Sequence, residues 1–363
     1  LSLPKKWQPN YAGIAAGGFK ILYFERDDRA GHANFKLNPE GGSLYLLNAS
    51  GTLIDYVSYP SQFRNISYGR KTNGGNEWTF FEEYSPAASN TNKKWFTERC
   101  ANPVFSIPGG KYTSTVNLKF DNPQPGDTIY YLVGSEEPTR KSNRYIPGAI
   151  ISLNNQVGII RAKCFSAGKL SSDVVTRTFW INQRKYTLPL VSVVSPNNFI
   201  YGDSMGIYVR GVNGISGNGT DQPANWNQDW DRPANFELYD TTNVNRINQE
   251  LDITIAGAWS RTMNGQKSLH ISPKKKFSNN DLNYDFFKAS KPGMKYHDIM
   301  LRNSGNDFYH SMLRDGFMLS LVAKRMNVDY IAYEPAICFI NGTYMGIHNL
   351  RERSGKDFLY SNY

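Results

Sequence analysis

Lys267 lies in the stretch "GAWSRTMNGQKSLHIS" (257–272), just after an Asn-Gly pair that reads as a tight turn. The residues that follow have strand character, and strand side chains alternate between two faces. Lys267, Leu269 and Ile271 then share one face, while Ser268, His270 and Ser272 share the other. A lysine in line with core aliphatics either snorkels to water or meets a fixed anion. That anion is either a carboxylate of the protein or the phosphate of a ligand. Arg302, Asn303, Asn306 and Asp307 in "RNSGNDF" (302–308) make a second polar cluster. They suit the capping of a helix start, and also a phosphate received at a helix N-terminus. In "LRER" (350–353), Arg351 and Arg353 face one way and Leu350 and Glu352 the other.

The elements that must position these groups are mostly strands. With 23 Tyr, 20 Phe, 31 Gly and 18 Pro, the 363-residue chain reads as β-rich modules joined by turns. Residues 1–92 alternate as a half-buried antiparallel sandwich, with hairpins at "GGSLYLLNASGTLIDYVSYP" (41–60) and "SYGRKTNGGNEWTFF" (67–81). "SPAASNTNKK" (85–94) is a small-polar linker. Residues 93–185 form a second β module, opening with a hairpin over Pro-Gly-Gly in "PVFSIPGGKYTSTVNLKF" (103–120). Residues 186–363 change to an α+β texture. Leu313, Phe317 and Leu321 recur at helical spacing and predict one long helix over 308–327, with Asp307 or Ser311 at its start. Asn341-Gly342 predicts a hairpin. The expected fold class is mainly β and multidomain: two immunoglobulin-like β-sandwiches followed by a partial α+β lobe.

The net charge of +10 favours anionic partners in general. The cations are dispersed, however, and the densest cluster is Pro273-Lys274-Lys275-Lys276. Without an interleaved aromatic-basic platform, no nucleic-acid partner is expected. No apolar run reaches the roughly 18 residues a membrane span needs, so no transmembrane segment is expected. Cys100, Cys164 and Cys338 make no CxxC pair, and the five histidines have no HxxxH or HExxH spacing, so no metal site is expected. Cys100 and Cys164 fall in the same module, which leaves a disulfide between them open. Asn48, Asn65, Asn218 and Asn341 begin Asn-x-Ser/Thr triplets that are chemically permissive for glycosylation.

Residues 1–92 resemble the lamin-tail domain through "IAAGGFKILYF" (14–24), "HANFKLNPEGGSLYLLNASGTLIDYVSYP" (32–60), "SYGR" (67–70), "WTFF" (78–81) and "SPAASN" (85–90). That family's first strands are expected before Leu1. Residues 93–185 resemble the fibronectin type III-like domain appended to chitobiases, through the 103–120 stretch, "DTIYYLVGSEEPT" (127–139) and "GIIRAKCFSAGKLSSDVVTRTFWI" (158–181). Val133 departs from a usually polar position there, so a spacer role is expected rather than sugar binding. Residues 186–363 resemble the N-terminal part of the CotH kinase family, exported proteins related to spore-coat protein H with an atypical protein-kinase-like fold. The ordered motifs are "LPLVSV" (188–193), "GIYVRG" (206–211), "NWNQDWDRPANFELYD" (225–240), "GAWSRTMNGQKSLHI" (257–271), "LRNSGNDF" (301–308), "MLRDGFMLSLVA" (312–323) and "FINGTYMGIHNLRER" (339–353).

This resemblance implies a kinase-like lobe and transfer of phosphate from ATP, with magnesium or manganese, to secreted or surface proteins. It also implies an exported chain, whether extracellular, cell-surface or periplasmic. Lys267 matches the lysine that would hold the nucleotide phosphates. Its acidic partner would be Asp315 or Glu352, and Arg302 belongs to the same polar pocket. The catalytic and metal-holding residues are expected beyond Tyr363. No tightly bound cofactor, and no phosphate transfer, is therefore expected of these residues alone. The alternative is a non-enzymatic adhesion or carbohydrate-associated scaffold whose kinase-like region is degenerate.

Overall fold

The computed structural model describes residues 7–8, 13–24, 29–121, 123–154, 156–218, 220–262, 265–273, 281–282, 284–323 and 325–362. Lys274, Lys275 and Lys276 of the basic run, and Asn264 of the expected turn, lie outside the described residues. The chain is mainly β, as its wealth of aromatic and β-branched residues implies. It divides into two compact units, one chiefly Leu1–Arg99 and the other Cys100–Ala167, Ser171–Lys274 and Asn279–Tyr363.

In the first unit both expected hairpins are formed. Gly42–Leu47 pairs with Leu53–Tyr59, and Ser67–Arg70 pairs with Trp78–Phe81, which Trp95–Phe96 extends to three strands. The half-buried face expected of the first hairpin is absent. Tyr45, Leu46, Leu53, Ile54 and Tyr56 are exposed, because no third described strand joins that sheet. Its apolar side chains cover one another instead, with Tyr45 stacked on Tyr56 across the pair.

The second unit begins as a sandwich. A five-stranded sheet runs in the order Asn143–Arg144, Asp127–Val133, Val157–Ser166, Val175–Ile181 and Gly110–Tyr112, antiparallel except for the last pair. Two short pairs, Val116–Leu118 with Ile151–Leu153 and Val104–Phe105 with Phe120–Asp121, pack on it around Ile129, Ile160 and Phe179. The ends of the stretch expected as a hairpin over Pro-Gly-Gly do pair, Val104–Phe105 with Phe120–Asp121, but the chain between them does not turn back directly at Pro108-Gly109-Gly110. Gly110–Tyr112 turns away to pair in parallel with Val175–Ile181, starting from Gly110 at φ +138°. Only glycine takes that conformation freely. Val133 is half exposed.

The chain then enters a closed seven-stranded barrel. Its strands are β1 (Leu190–Val194), β2 (Arg232–Tyr239), β3 (Asn245–Ala256), β4 (Ser268–Ser272), β5 (Ile299–Arg302), β6 (Tyr333–Ile340) and β7 (Thr343–Arg351). The order is β1-β2-β3-β4-β5-β7-β6, and a parallel β1–β6 pairing closes it. Val191, Val193, Phe236, Leu251, Ile253, Leu269, Ile271 and Leu301 fill the interior. The predicted β6–β7 hairpin is present, with Asn341 (φ 48°) and Gly342 (φ 81°) in the left-handed region.

Sandwich and barrel share a second core. Trp180 meets Tyr239 and Phe339 edge-on, at 5.2 and 5.5 Å between ring centres. Nearby, Glu237 is fully buried and accepts hydrogen bonds from Thr178 (2.5 Å), Tyr239 (2.9 Å) and Asn248 (3.0 Å). Burial pushes its carboxyl pKa up, and the bonds from Thr178 and Tyr239 offset part of that rise. The segments 93–185 and 186–363, distinct in sequence texture, thus pack largely as one unit.

The long helix expected over 308–327 is shorter, spanning Arg314–Val322. Asp307 accounts for the difference at the N-terminal end. Its carboxylate accepts from the Ser311 hydroxyl (2.7 Å) and from the Arg314 backbone N–H (2.9 Å), holding 307–314 as a compact turn. Met312 completes that turn at φ 57°, which no helix interior allows. Asp307 thus caps the helix from a distance. Leu313, Phe317 and Leu321, whose spacing predicts the helix, are all exposed, as is Met318 beside them.

Candidate functional site

Lys267 immediately precedes β4 and is 3 % exposed. The expected in-line arrangement with buried Leu269 and Ile271 is present. Its ammonium donates to the carbonyl of Arg261 and sits 4.0 Å from the centre of the Trp226 ring. No carboxylate lies within ion-pair distance among the described residues. Burial without a counter-charge lowers its pKa to about 8. The Trp226 indole N–H is itself buried without a partner. His348, fully buried on β7, donates from Nε2 to the Lys267 carbonyl (3.1 Å), and burial lowers its pKa to about 4.

The surrounding loop explains this geometry. After β3 the chain turns at Gly257, whose φ of +95° suits glycine, into a short helical turn Trp259–Thr262. Arg261 braces the turn from inside: its guanidinium donates to the carbonyls of Gly257 and Trp226 (2.8 Å for the latter). The outer side of the turn opens on a cleft of about 440 Å³ lined by Gly257–Ser260, Arg302, Ser304–Asp307, Arg314 and Asp315. Lys267 does not line the cleft. It contacts the turn that forms one of the cleft's walls.

The opposite wall is the "RNSGNDF" segment, held by buried polar contacts. Asn303 accepts from Ser268 Oγ (2.9 Å) and from the Gly305 N–H (3.0 Å), while its amide donates to the Gln266 carbonyl (2.9 Å). Ser304 is buried at φ 68°, a strained conformation for a non-glycine residue, and is fixed by Asn349 (3.0 Å). The Asp307 carboxylate is brought down to about 2, first by the Arg314 backbone N–H and then by the Ser311 hydroxyl. The sequence had marked Arg302, Asn306 and Asp307. It missed Trp259, Ser304 and Arg314, because only folding brings the 257–262 turn opposite the 302–315 segment.

The two acidic residues expected to partner Lys267 are engaged elsewhere. Asp315 binds Arg302 (2.9 Å) and Arg351. Burial would raise its pKa, but the charges of Arg351 and Arg302 hold it below the ordinary value. Glu352 is buried against Lys291 (2.6 Å) and also accepts from the Ala332 N–H (2.7 Å) and from Asn362 (3.0 Å). Lys291 was not singled out in the sequence, where nothing but the fold connects it to position 352. Of the four expected residues, Arg302 and Asp315 come together at the cleft, while Lys267 and Glu352 each stand apart from that pair. Trp226 and Trp230 pack against the barrel core, with the Arg232 guanidinium 4.4 Å from the centre of the Trp230 ring.

Two family models match the chain: CotH kinase protein over residues 253–363, and the Chitobiase/beta-hexosaminidase C-terminal domain over residues 107–176. No curated protein matches it significantly. The first match starts within β3 and contains Lys267, Arg302, Asp315 and Glu352. The second covers most of the sandwich. Behind a chitobiase-type sandwich, the chain thus carries a segment similar to the CotH kinase family.

Proposed function

We propose that the barrel is the nucleotide-binding part of an exported CotH-type kinase, which transfers phosphate from ATP to secreted or surface proteins. The single observation that carries this reading is Lys267. Among the described residues it is a buried ammonium with no carboxylate partner, set beside an indole N–H with none either and against the wall of a cleft that carries Arg302 and Arg314. An anionic phosphate supplies the charge that the fold leaves out. Arg302 and Arg314 would face an anion in the cleft, and Lys267, which lies behind the 259–262 turn, would exchange the Arg261 carbonyl for a phosphate oxygen only as that turn moved aside. The donor set fits phosphate well and fits a divalent metal poorly. Asp307 and Asp315, the carboxylates lining the cleft, are already engaged by Arg314 and by Arg302 and Arg351. Magnesium or manganese would therefore arrive with the nucleotide and neutralise phosphate charge.

The scaffold reading draws on a specific observation too: Asp315 and Glu352 are committed to structural ion pairs. The two readings separate by titrating the full chain with a fluorescent ATP analogue, with magnesium and then with manganese. Saturable binding that is lost in Lys267→Met supports the kinase reading. Absence of binding under both metals leaves the scaffold.

A further inference from the structure

Cys100 and Cys164 lie in the sandwich, away from the cleft, and the proposed kinase role leaves them unused. Cys164 is on the strand Val157–Ser166, and Cys100 approaches it from the start of the module. Both are buried, at 4 % and 3 % exposure, and the structure carries them as thiols. Their Sγ atoms and a carboxylate oxygen of Asp127 all lie within 4.8 Å of one another. Cys338 is separate, in the barrel core.

Two chemistries fit a pair of thiols at such range. A structural zinc site takes four nitrogen or sulfur ligands as a rule, and a catalytic one takes three protein ligands with histidine prominent. Here the described cluster ends at two thiols and a single carboxylate. A disulfide needs only the two sulfurs, and a separation of no more than 4.8 Å leaves a short approach to a bond of about 2.05 Å.

We infer that Cys100 and Cys164 become joined as a disulfide while the sandwich folds. The oxidant is an external disulfide of the glutathione or oxidoreductase type. One cysteine thiolate attacks it, forming a mixed disulfide and releasing one donor thiolate. The second cysteine then attacks the protein sulfur of that mixed bond, releasing the other donor thiolate. The two protons shed by the protein thiols end on the donor thiolates, carried by water. Two protein thiols are oxidised and one donor disulfide is reduced. Burial, with the neighbouring Cys100 and Asp127, pushes the Cys164 thiol up to about 12 in the closed module. Exchange there is slow, so the bond forms before the core closes and is shielded afterwards.

The test refolds the full chain in a glutathione redox buffer, then denatures it and alkylates it with N-ethylmaleimide for intact mass and peptide mapping. The expected product carries one adduct, on Cys338, and a linked peptide pair containing Cys100 and Cys164. The oxidised chain should also melt roughly 5–15 °C above the same chain kept reduced. Adducts on all three cysteines overturn the inference. So does a stoichiometric zinc complex of the chain in which both thiols stay unlinked in that buffer. An oxidised form that melts below the reduced one rules the bond out as native.

Discussion

Replacing Lys267 with methionine separates what the fold requires from what a ligand requires. Holding this ammonium in a site that lowers its pKa from 10.5 to about 8 costs about 3 kcal/mol, at 1.36 kcal/mol per pH unit. The sign follows from linkage. The unfolded chain binds this proton more tightly, so the penalty is full below pH 8 and fades as the pH rises toward 10.5. Against it stand one hydrogen bond to a carbonyl and one cation–π contact, each about 1 kcal/mol. Lys267→Met keeps the stem's packing and loses both contacts, so at pH 7 it should match or exceed the wild type by about 1 kcal/mol. Urea denaturation at pH 7 and pH 10 is the assay. The variant's advantage should shrink by about 2–3 kcal/mol as the wild-type lysine discharges. A variant that loses more than about 3 kcal/mol at pH 7 would show that the lysine is a structural keystone. A difference that does not change with pH would show that the ammonium is not desolvated. Either result refutes the reasoning.

His348 gives the complementary acid limb. Its pKa falls from 6.5 to about 4 on folding, so stability is complete above pH 6.5 and drains as the pH falls toward 4. Between pH 7 and pH 4.5 the barrel should lose about 2–3 kcal/mol through this group. His348→Gln should remove that part of the acid slope in urea titrations. An unchanged slope places the acid sensitivity elsewhere. Asp315→Asn leaves Arg351, 6 % exposed, without its carboxylate. Because the Asp315 side chain is 34 % exposed, the cost should fall between a surface and a buried pair, roughly 1–3 kcal/mol. A thermal melt unchanged from wild type would show that water already screens both arginines.

The parts of the fold legible in the sequence were those decided by neighbours along the chain. Asn341-Gly342 set its turn because two adjacent residues had to enter the left-handed region. Lys267 could be placed with Leu269 and Ile271 because alternation is local. Partner choice was illegible because it is settled across the fold. Asp315 and Glu352 were each reasonable partners for Lys267 by type, but Arg351 and Lys291 reach them first. The helix misled for a different reason. Apolar residues at i+4 promise a buried face only if something packs on it, and the 313–321 stripe faces outward. Asp307 also shortened that helix from outside, through a bond to Arg314 that no local pattern announces.

The strongest mark of the candidate site is the contrast among the barrel's buried cations. Arg261 has Asp229 at 3.6 Å, Lys291 has Glu352 at 2.6 Å, and Arg351 has Asp315. Each of these cations meets a carboxylate, buried for Glu352, partly exposed for Asp315 and largely exposed for Asp229, as a buried positive charge is expected to. Lys267 is as buried as any of them and, among the described residues, has only a carbonyl and a ring. A methionine would fill the same space without the desolvation cost. A charge kept where packing does not need it, beside a cleft with arginines on its far wall, is what a site for a phosphate requires before the phosphate arrives. On that ground the ammonium at position 267, rather than the paired carboxylates, is the group whose replacement tests the proposed nucleotide site.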